Sequence, residues 1–156
     1  MALFGPAVLR LAVGVVFVAH GAQKLFGLWD GGGLTATAAF FAQHGLTPAD
    51  PLAIFVGLIE LAGGLLLVGG AFTLVASALL TVNMLVAVWT VHLASGFFLN
   101  WTIAPGAGHG YEFNLVLIGA LVSLMLTGPG ALSFDRHRAR AAETQAFGRA
   151  RMRAGP

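Results

Sequence analysis

Between Met1 and Gly128 only six side chains carry a formal charge: Arg10, Lys24, Asp30, Asp50, Glu60 and Glu112. Soluble domains carry charge on about a quarter of their residues, so these few cannot coat a globule of this length. The other eight, Asp135, Arg136, Arg138, Arg140, Glu143, Arg149, Arg151 and Arg153, crowd into the last 28 residues. Two bases against four acids leave the body at net −2, and six against two leave the tail at +4. A basic balance can point to nucleic acid, but here the excess sits wholly in that tail. Hydrophobic residues make up 58% of the chain, above the roughly 45–50% of soluble domains. There is no Cys, hence no thiolate metal site, thiol relay or disulfide within the chain. A soluble enzyme, a disordered chain and a disulfide scaffold are excluded, and an integral membrane protein is expected.

A bilayer core of roughly 30 Å takes about 20 mostly apolar residues per helix. Four segments qualify: about 7–28, following Pro6; about 51–69, opened by Pro51; about 72–95; and about 112–127, stopped by Gly128-Pro129-Gly130. Alternation of period two is absent, so a membrane barrel is not supported. Arg10 and Lys24 lie inside the first segment rather than ahead of it, which marks a span and not a cleaved signal. The Gly69-Gly70-Ala71 turn makes spans two and three antiparallel neighbours. The loops at about 29–50 and 96–111 hold no Lys or Arg, whereas the tail holds six Arg. The positive-inside rule then puts the tail in the cytoplasm, and an even number of spans puts the N-terminus there too. The expected fold is all-α: a polytopic membrane four-helix bundle over residues 1–132 with N- and C-termini cytoplasmic. A basic cytoplasmic tail follows over 133–156, and the cell (inner) membrane is the expected location.

An ionisable group at membrane depth needs a partner or a purpose. At about 1.5 Å of rise per residue, Glu60 and Asn83 fall near the midplanes of spans two and three. His20 lies slightly outward in span one, Arg10 on its inner side and Lys24 near its outer surface. His92 and Glu112 sit near the outer ends of spans three and four. Arg10, Gly14, Phe17, Gly21 and Lys24 step by fours and threes into one stripe, with His20 on its flank. Gly57, Glu60 and Gly64 share a face of span two, where small residues let helices approach closely. Glu112, Gly119 and Ser123 share one on span four. These faces are expected to meet inside the bundle, with Glu60 against Arg10, His20 or Asn83. His92 is nine positions from Asn83, about half a turn off its face on a straight helix. Either His92 leans to the interface or span three is irregular there.

Each of these residues also has a plainer reading. Glu60 with Arg10 suits a structural clamp, Lys24 a snorkelling anchor, and Asn83 interhelix glue. Trp29, Trp89 and Trp101 suit an aromatic belt. The tail arginines suit anionic lipid headgroups, or else a docked cytoplasmic partner. No two His at metal-ligand spacing share a face, so no metal is expected.

The stretch LRLAVGVVFVAHGAQKLFG (Leu9–Gly27) resembles the opening of the DoxX family of small membrane proteins. GLIELAGGLLLVGG (Gly57–Gly70) is similar to that family's second helix and MLVAVWTVH (Met84–His92) to its third. GHGYEFNLVLIGALVSLMLTGPGALSFDR (Gly108–Arg136) resembles its fourth, including the closing GPG-x-LS-x-D. Arg10, His20, Gly21, Lys24, Glu60 and Glu112 fall on the family's recurrent polar or glycine positions. The resemblance implies four helices and a loose association with redox chemistry. Family members include quinone-reducing membrane subunits of archaeal thiosulfate oxidation, anchors of oxidant-defence complexes and proteins of quinone and catechol stress responses. Without Cys, any sulfur species must be bound by a partner subunit.

Two functions are expected as alternatives. The first is a quinone-linked redox protein or membrane subunit of an oxidoreductase or oxidative-stress complex. Quinone reduction needs an apolar slot, hydrogen-bond donors for the carbonyls and a proton source. Glu60, His20 and Lys24 are the candidate catalytic residues, and Arg10, Asn83, His92 and Glu112 the candidate cofactor-binding ones. The chain carries no haem pair and no Gly-x-Gly-x-x-Gly, so electrons pass directly between quinol and substrate or through a redox partner subunit. The second is a non-enzymatic membrane scaffold or small-solute permease, oligomeric or not, whose buried charges are structural or line a path.

Overall fold

The computed structural model describes residues 3–154. Twenty-three residues from Phe4 to Phe26 form α1, with Pro6 in the first turn, where its missing N–H leaves no helical bond unmade. The helix stops at Gly27, whose φ of +69° belongs to the left-handed region and whose N–H donates to Gln23 O. After α2 (Gly33–Gln43), the long helix α3 (Ala49–Gly69) opens with Asp50 in its first turn, the favourable end of its dipole. The next helix, α4 (Thr73–Ala87), runs on through a widened π turn at Val88–His92 and a tight 3-10 turn at Leu93–Ser95. The apolar α5 spans Glu112–Thr127 and the basic tail forms α6 (Phe134–Ala154). Three stretches, Phe4–Phe26, Ala49–Gly69 and Thr73–Ser95, are long and apolar enough to cross a membrane, while α5 is apolar but shorter.

One expectation changes, and one open alternative is decided. The segment 29–50 is not merely a loop, because it contains α2. An 11-residue helix is marginal alone in water. What holds it is packing, with Ala38 and Phe41 buried against Ala53 of α3. Span three is also irregular. Within the widened turn Thr90 Oγ1 donates to Val86 O at 2.8 Å, a side chain entering the helical hydrogen-bond ladder.

α1 packs along α3, α3 on α4, α4 on α5, and α5 back on α1. The core they enclose holds Val13, Phe17, Leu67, Leu80, Met84, Leu117, Leu121 and Leu124. Outward-facing Val8, Val15, Leu58, Leu79, Val82 and Val116 are all exposed, the inverse of a soluble protein's surface. The inward face expected on span four, Glu112, Gly119 and Ser123, is replaced by Asn114, Leu117, Leu121 and Leu124, and Gly119 is exposed.

The end from which α6 leaves is closed by polar ties. Arg10, only 2% exposed, donates from Nη1 to Leu67 O (2.6 Å), from Nε to Pro129 O (3.1 Å) and from Nη2 to Leu132 O (3.2 Å). These are carbonyls of the last turn of α3, where Leu67 O also accepts from Gly70 N at 3.0 Å, and of the turn before α6. Asp135 caps α4: its two oxygens accept from Phe72 N and Thr73 N, both at 2.8 Å. Burial opposes ionisation of Asp135. The N–H groups of Thr73 and Phe72, with Arg138 nearby, outweigh it and hold the carboxyl below the usual carboxylate range.

Candidate functional site

Glycines bring the charged helices together. A Cβ added at Gly14 would stand 2.9 Å from Gly64 O, and one at Gly64 would stand 2.6 Å from Val18 N. α1 and α3 therefore touch backbone to backbone, as small residues allow in lipid. The contact lays the C-terminal half of α1 against Glu60 of α3. Glu60, 2% exposed, forms an ion pair with Lys24, and its Oε1 accepts from Asn83 Nδ2 at 3.0 Å. One carboxylate thus ties α1, α3 and α4. Its partner is Lys24, where the expectation was Arg10, His20 or Asn83. Asn83 does bond it, whereas Arg10 is committed to backbone carbonyls at the other end.

The pair stands at the edge of a cavity of about 390 Å³. Its walls are largely apolar, including Phe17, Phe41, Val56 and Leu117, with polar points at Glu60, Lys24, Asn83, His20, His92 and Asn114. α3 and α4, joined by a tight turn at the tail end, both border the cavity toward the loop end. There α2 adds Phe40 and Phe41, and the 96–111 loop adds Leu99, His109 and Gly110. Exposed Phe40, Val86 and His20 belong to the lining, so the cavity reaches the surface beside them.

The irregular turn settles where His92 stands. On a uniform helix it lies about half a turn from Asn83; one residue inserted by the π turn reduces that to about a quarter turn. His92 lines the cavity, and its Nδ1 is 2.8 Å from His109 O. A carbonyl only accepts, so Nδ1 carries the proton and Nε2 of an uncharged ring is the lone-pair nitrogen. His109 Nδ1 in turn accepts from Asn100 N at 3.2 Å, anchoring the loop.

Five of the seven candidate residues, Glu60, His20, Lys24, Asn83 and His92, thus line one cavity. The other two do not. Arg10 is the tail-end tie described above. Glu112 Oε1 accepts from Leu99 N at 2.8 Å and fixes the loop to the start of α5. Among the described residues no three His, Asp or Glu side chains converge as a metal site would require. Phe40, His109 and Asn114 join the lining unannounced. For Asn114 a signal existed, since an amide inside span four asks for a partner as Asn83 does in span three.

These features define an all-helical membrane protein with an apolar cavity bordered by a buried carboxylate and its half-buried lysine partner. The chain belongs to the DoxX family, whose profile matches residues 5–93. It is 30% identical over 131 residues to a Bacillus subtilis (strain 168) protein named "Putative oxidoreductase CatD", covering 84% of each chain. It is 32% identical to an uncharacterized protein of Haemophilus influenzae, over 83% of this chain and 87% of that one. An uncharacterized membrane protein of Mycobacterium tuberculosis is also 32% identical, over 82% and 77% of the two chains. No solved structure matches significantly.

Proposed function

We propose that this is a quinone-linked redox protein of the cytoplasmic membrane, catalytic alone or as the membrane subunit of an oxidoreductase, with the quinone ring held in the cavity. The observation that carries this reading is an apolar cavity whose polar groups include one buried carboxylate and its partners. Its volume, about 390 Å³, falls in the range of small-molecule sites, and its lateral exposure at Phe40 and Val86 suits a ligand dissolved in lipid. A bound quinone supplies the electron-accepting chemistry. Lys24 Nζ, Asn83 Nδ2 and His20 offer hydrogen bonds to its oxygens. Glu60 holds or releases a proton at Oε2, and the aromatic and aliphatic walls exclude water. The oxidoreductase in the Bacillus relative's name supports the same direction.

The membrane arrangement belongs to the same proposal. α1, α3, α4 and α5 form a transmembrane four-helix bundle within residues 1–132, and 133–156 is a cytoplasmic tail. Support comes from the circuit of helix contacts and the apolar outer surface. The arginines at one end, opposite loops with no Lys or Arg, support cytoplasmic termini. Trp29, Trp89 and Trp101, all exposed, suit the opposite headgroup level. Arg136, Arg138, Arg140 and Arg149 of α6 meet anionic headgroups; the side chains of Arg151 and Arg153 lie outside the described residues. Electrons come from the bound reductant itself or from a partner subunit.

Native mass spectrometry on protein extracted gently from its own membrane, beside Glu60→Gln, tests the reading. A copurifying quinone that the substitution removes, with helix content unchanged, is expected. Protein carrying only lipid or a partner chain would contradict it and favour a scaffold or permease.

A further inference from the structure

Asn114 is 7% exposed, in the first turn of α5, and its side chain borders the cavity. Its hydrogen bonding is one-sided. Nδ2 donates to Met84 Sδ at 3.6 Å, and Oδ1 accepts from none of the described residues. A thioether sulfur accepts and never donates, so the nitrogen must face Met84. The oxygen is left without a protein donor and stands at the cavity wall, free to accept a hydrogen bond from a ligand. Asn83 and Met84 are consecutive and therefore point about 100° apart around α4. One reaches Glu60 on α3 and the other Asn114 on α5. A ligand between them meets the Glu60–Lys24–Asn83 group on one side and a lone acceptor on the other. His92, its Nδ1 bonded to His109 O, stands in the same lining.

An acceptor rewards a hydroxyl and repels a carbonyl oxygen. Resting on the quinone reading of the cavity, we propose that Asn114 Oδ1 accepts a hydrogen bond from a ring hydroxyl, so that the cavity binds the dihydroxylated, reduced ring more tightly than the oxidised one. Asn114 is then a specificity determinant between the two redox states, which share almost the same shape.

The test titrates full-length protein in nanodiscs, without oxygen, with a short-tailed benzohydroquinone and separately with its quinone, by calorimetry. The wild type binds the hydroquinone on the order of tenfold more tightly, the ratio that about one satisfied buried hydrogen bond gives. Asn114→Leu brings that ratio to about one by weakening hydroquinone binding. Met84→Leu, a swap that cores tolerate, removes the sulfur that fixes the amide. The amide can then turn, and the ratio falls without loss of fold. Equal affinities in the wild type, or a preference unchanged in both variants, overturn the proposal while leaving the cavity reading intact. Failure of both forms to bind the wild type overturns the cavity reading and this proposal with it.

Discussion

Replacing Lys24 by Met leaves the Glu60 carboxylate buried without its countercharge. The two members of the pair differ sharply in exposure, with 26% of the Lys24 side chain accessible against 3% for Glu60. Removing one partner of a buried pair costs about 3–5 kcal/mol. The partial exposure of Lys24 screens some of the pairing, so the expected loss is roughly 2–4 kcal/mol. Glu60→Gln is gentler. The substituted amide keeps an oxygen for Asn83 Nδ2, and the freed Lys24 turns its ammonium to the surface, so the loss is about 1 kcal/mol. The Lys24→Met/Glu60→Gln double variant lacks both charges and recovers most of what Lys24→Met alone loses. Reversible unfolding of all four proteins in bicelles at neutral pH gives the cycle. Equal losses in the two single variants, or a double variant as unstable as the sum of both, would refute the idea that a deeply buried carboxylate needs Lys24.

Three further outcomes follow from the packing. Arg10→Met strips the donors from the end of α3 and the turn before α6 and costs about 2–4 kcal/mol, from carbonyls left without a donor at about 1–3 kcal/mol each, while quinone occupancy of the folded fraction stays unchanged; unfolding and native mass spectra together check this. At Gly21 an added Cβ runs into the backbone of Leu61. Gly21→Val therefore costs roughly 1–3 kcal/mol and weakens the Lys24–Glu60 pair, read as a smaller coupling in the cycle above. The Asp135 carboxyl is held below the usual range, so its cap is fully effective above the unfolded-state value and is lost as pH falls through the folded-state value. The wild-type melting temperature accordingly falls on acidification. Asp135→Asn, lower at neutral pH by the equivalent of about 1 kcal/mol, shows a flatter acid limb.

Much of this was legible because hydrocarbon permits so little. Charge poverty with apolar length located the three long apolar helices and the shorter α5, and the rule that a polar group at membrane depth needs a partner singled out Glu60, Asn83, His20 and Lys24. What escaped was reach. Depth counted by helical rise put Lys24 at the outer surface, yet a four-carbon stem brings its ammonium down to Glu60. Arg10, correctly placed at the tail end by the same count, is still named as a possible partner of Glu60, because a shared stripe does not say which of its residues meets a carboxylate. α2 was hidden because its stability is tertiary, resting on Ala38 and Phe41 against α3. Asn114 was missed because Glu112 was taken to set the inward face of α5, whereas Glu112 tethers a loop. The π turn that carries His92 to the cavity left only an inconsistency of phase as its trace.

Everything proposed for the cavity beside Glu60 depends on its holding a quinone ring. Photolabelling with an azidoquinone in native-lipid nanodiscs, mapped by peptide mass spectrometry, addresses it most directly. Adducts are expected on the α1 segment around His20 and the helical segment from Asn83 to His92, suppressed by excess unlabelled quinone. Adducts confined to lipid-facing positions such as Val15, Leu79 or Val116, and insensitive to competition, would contradict it.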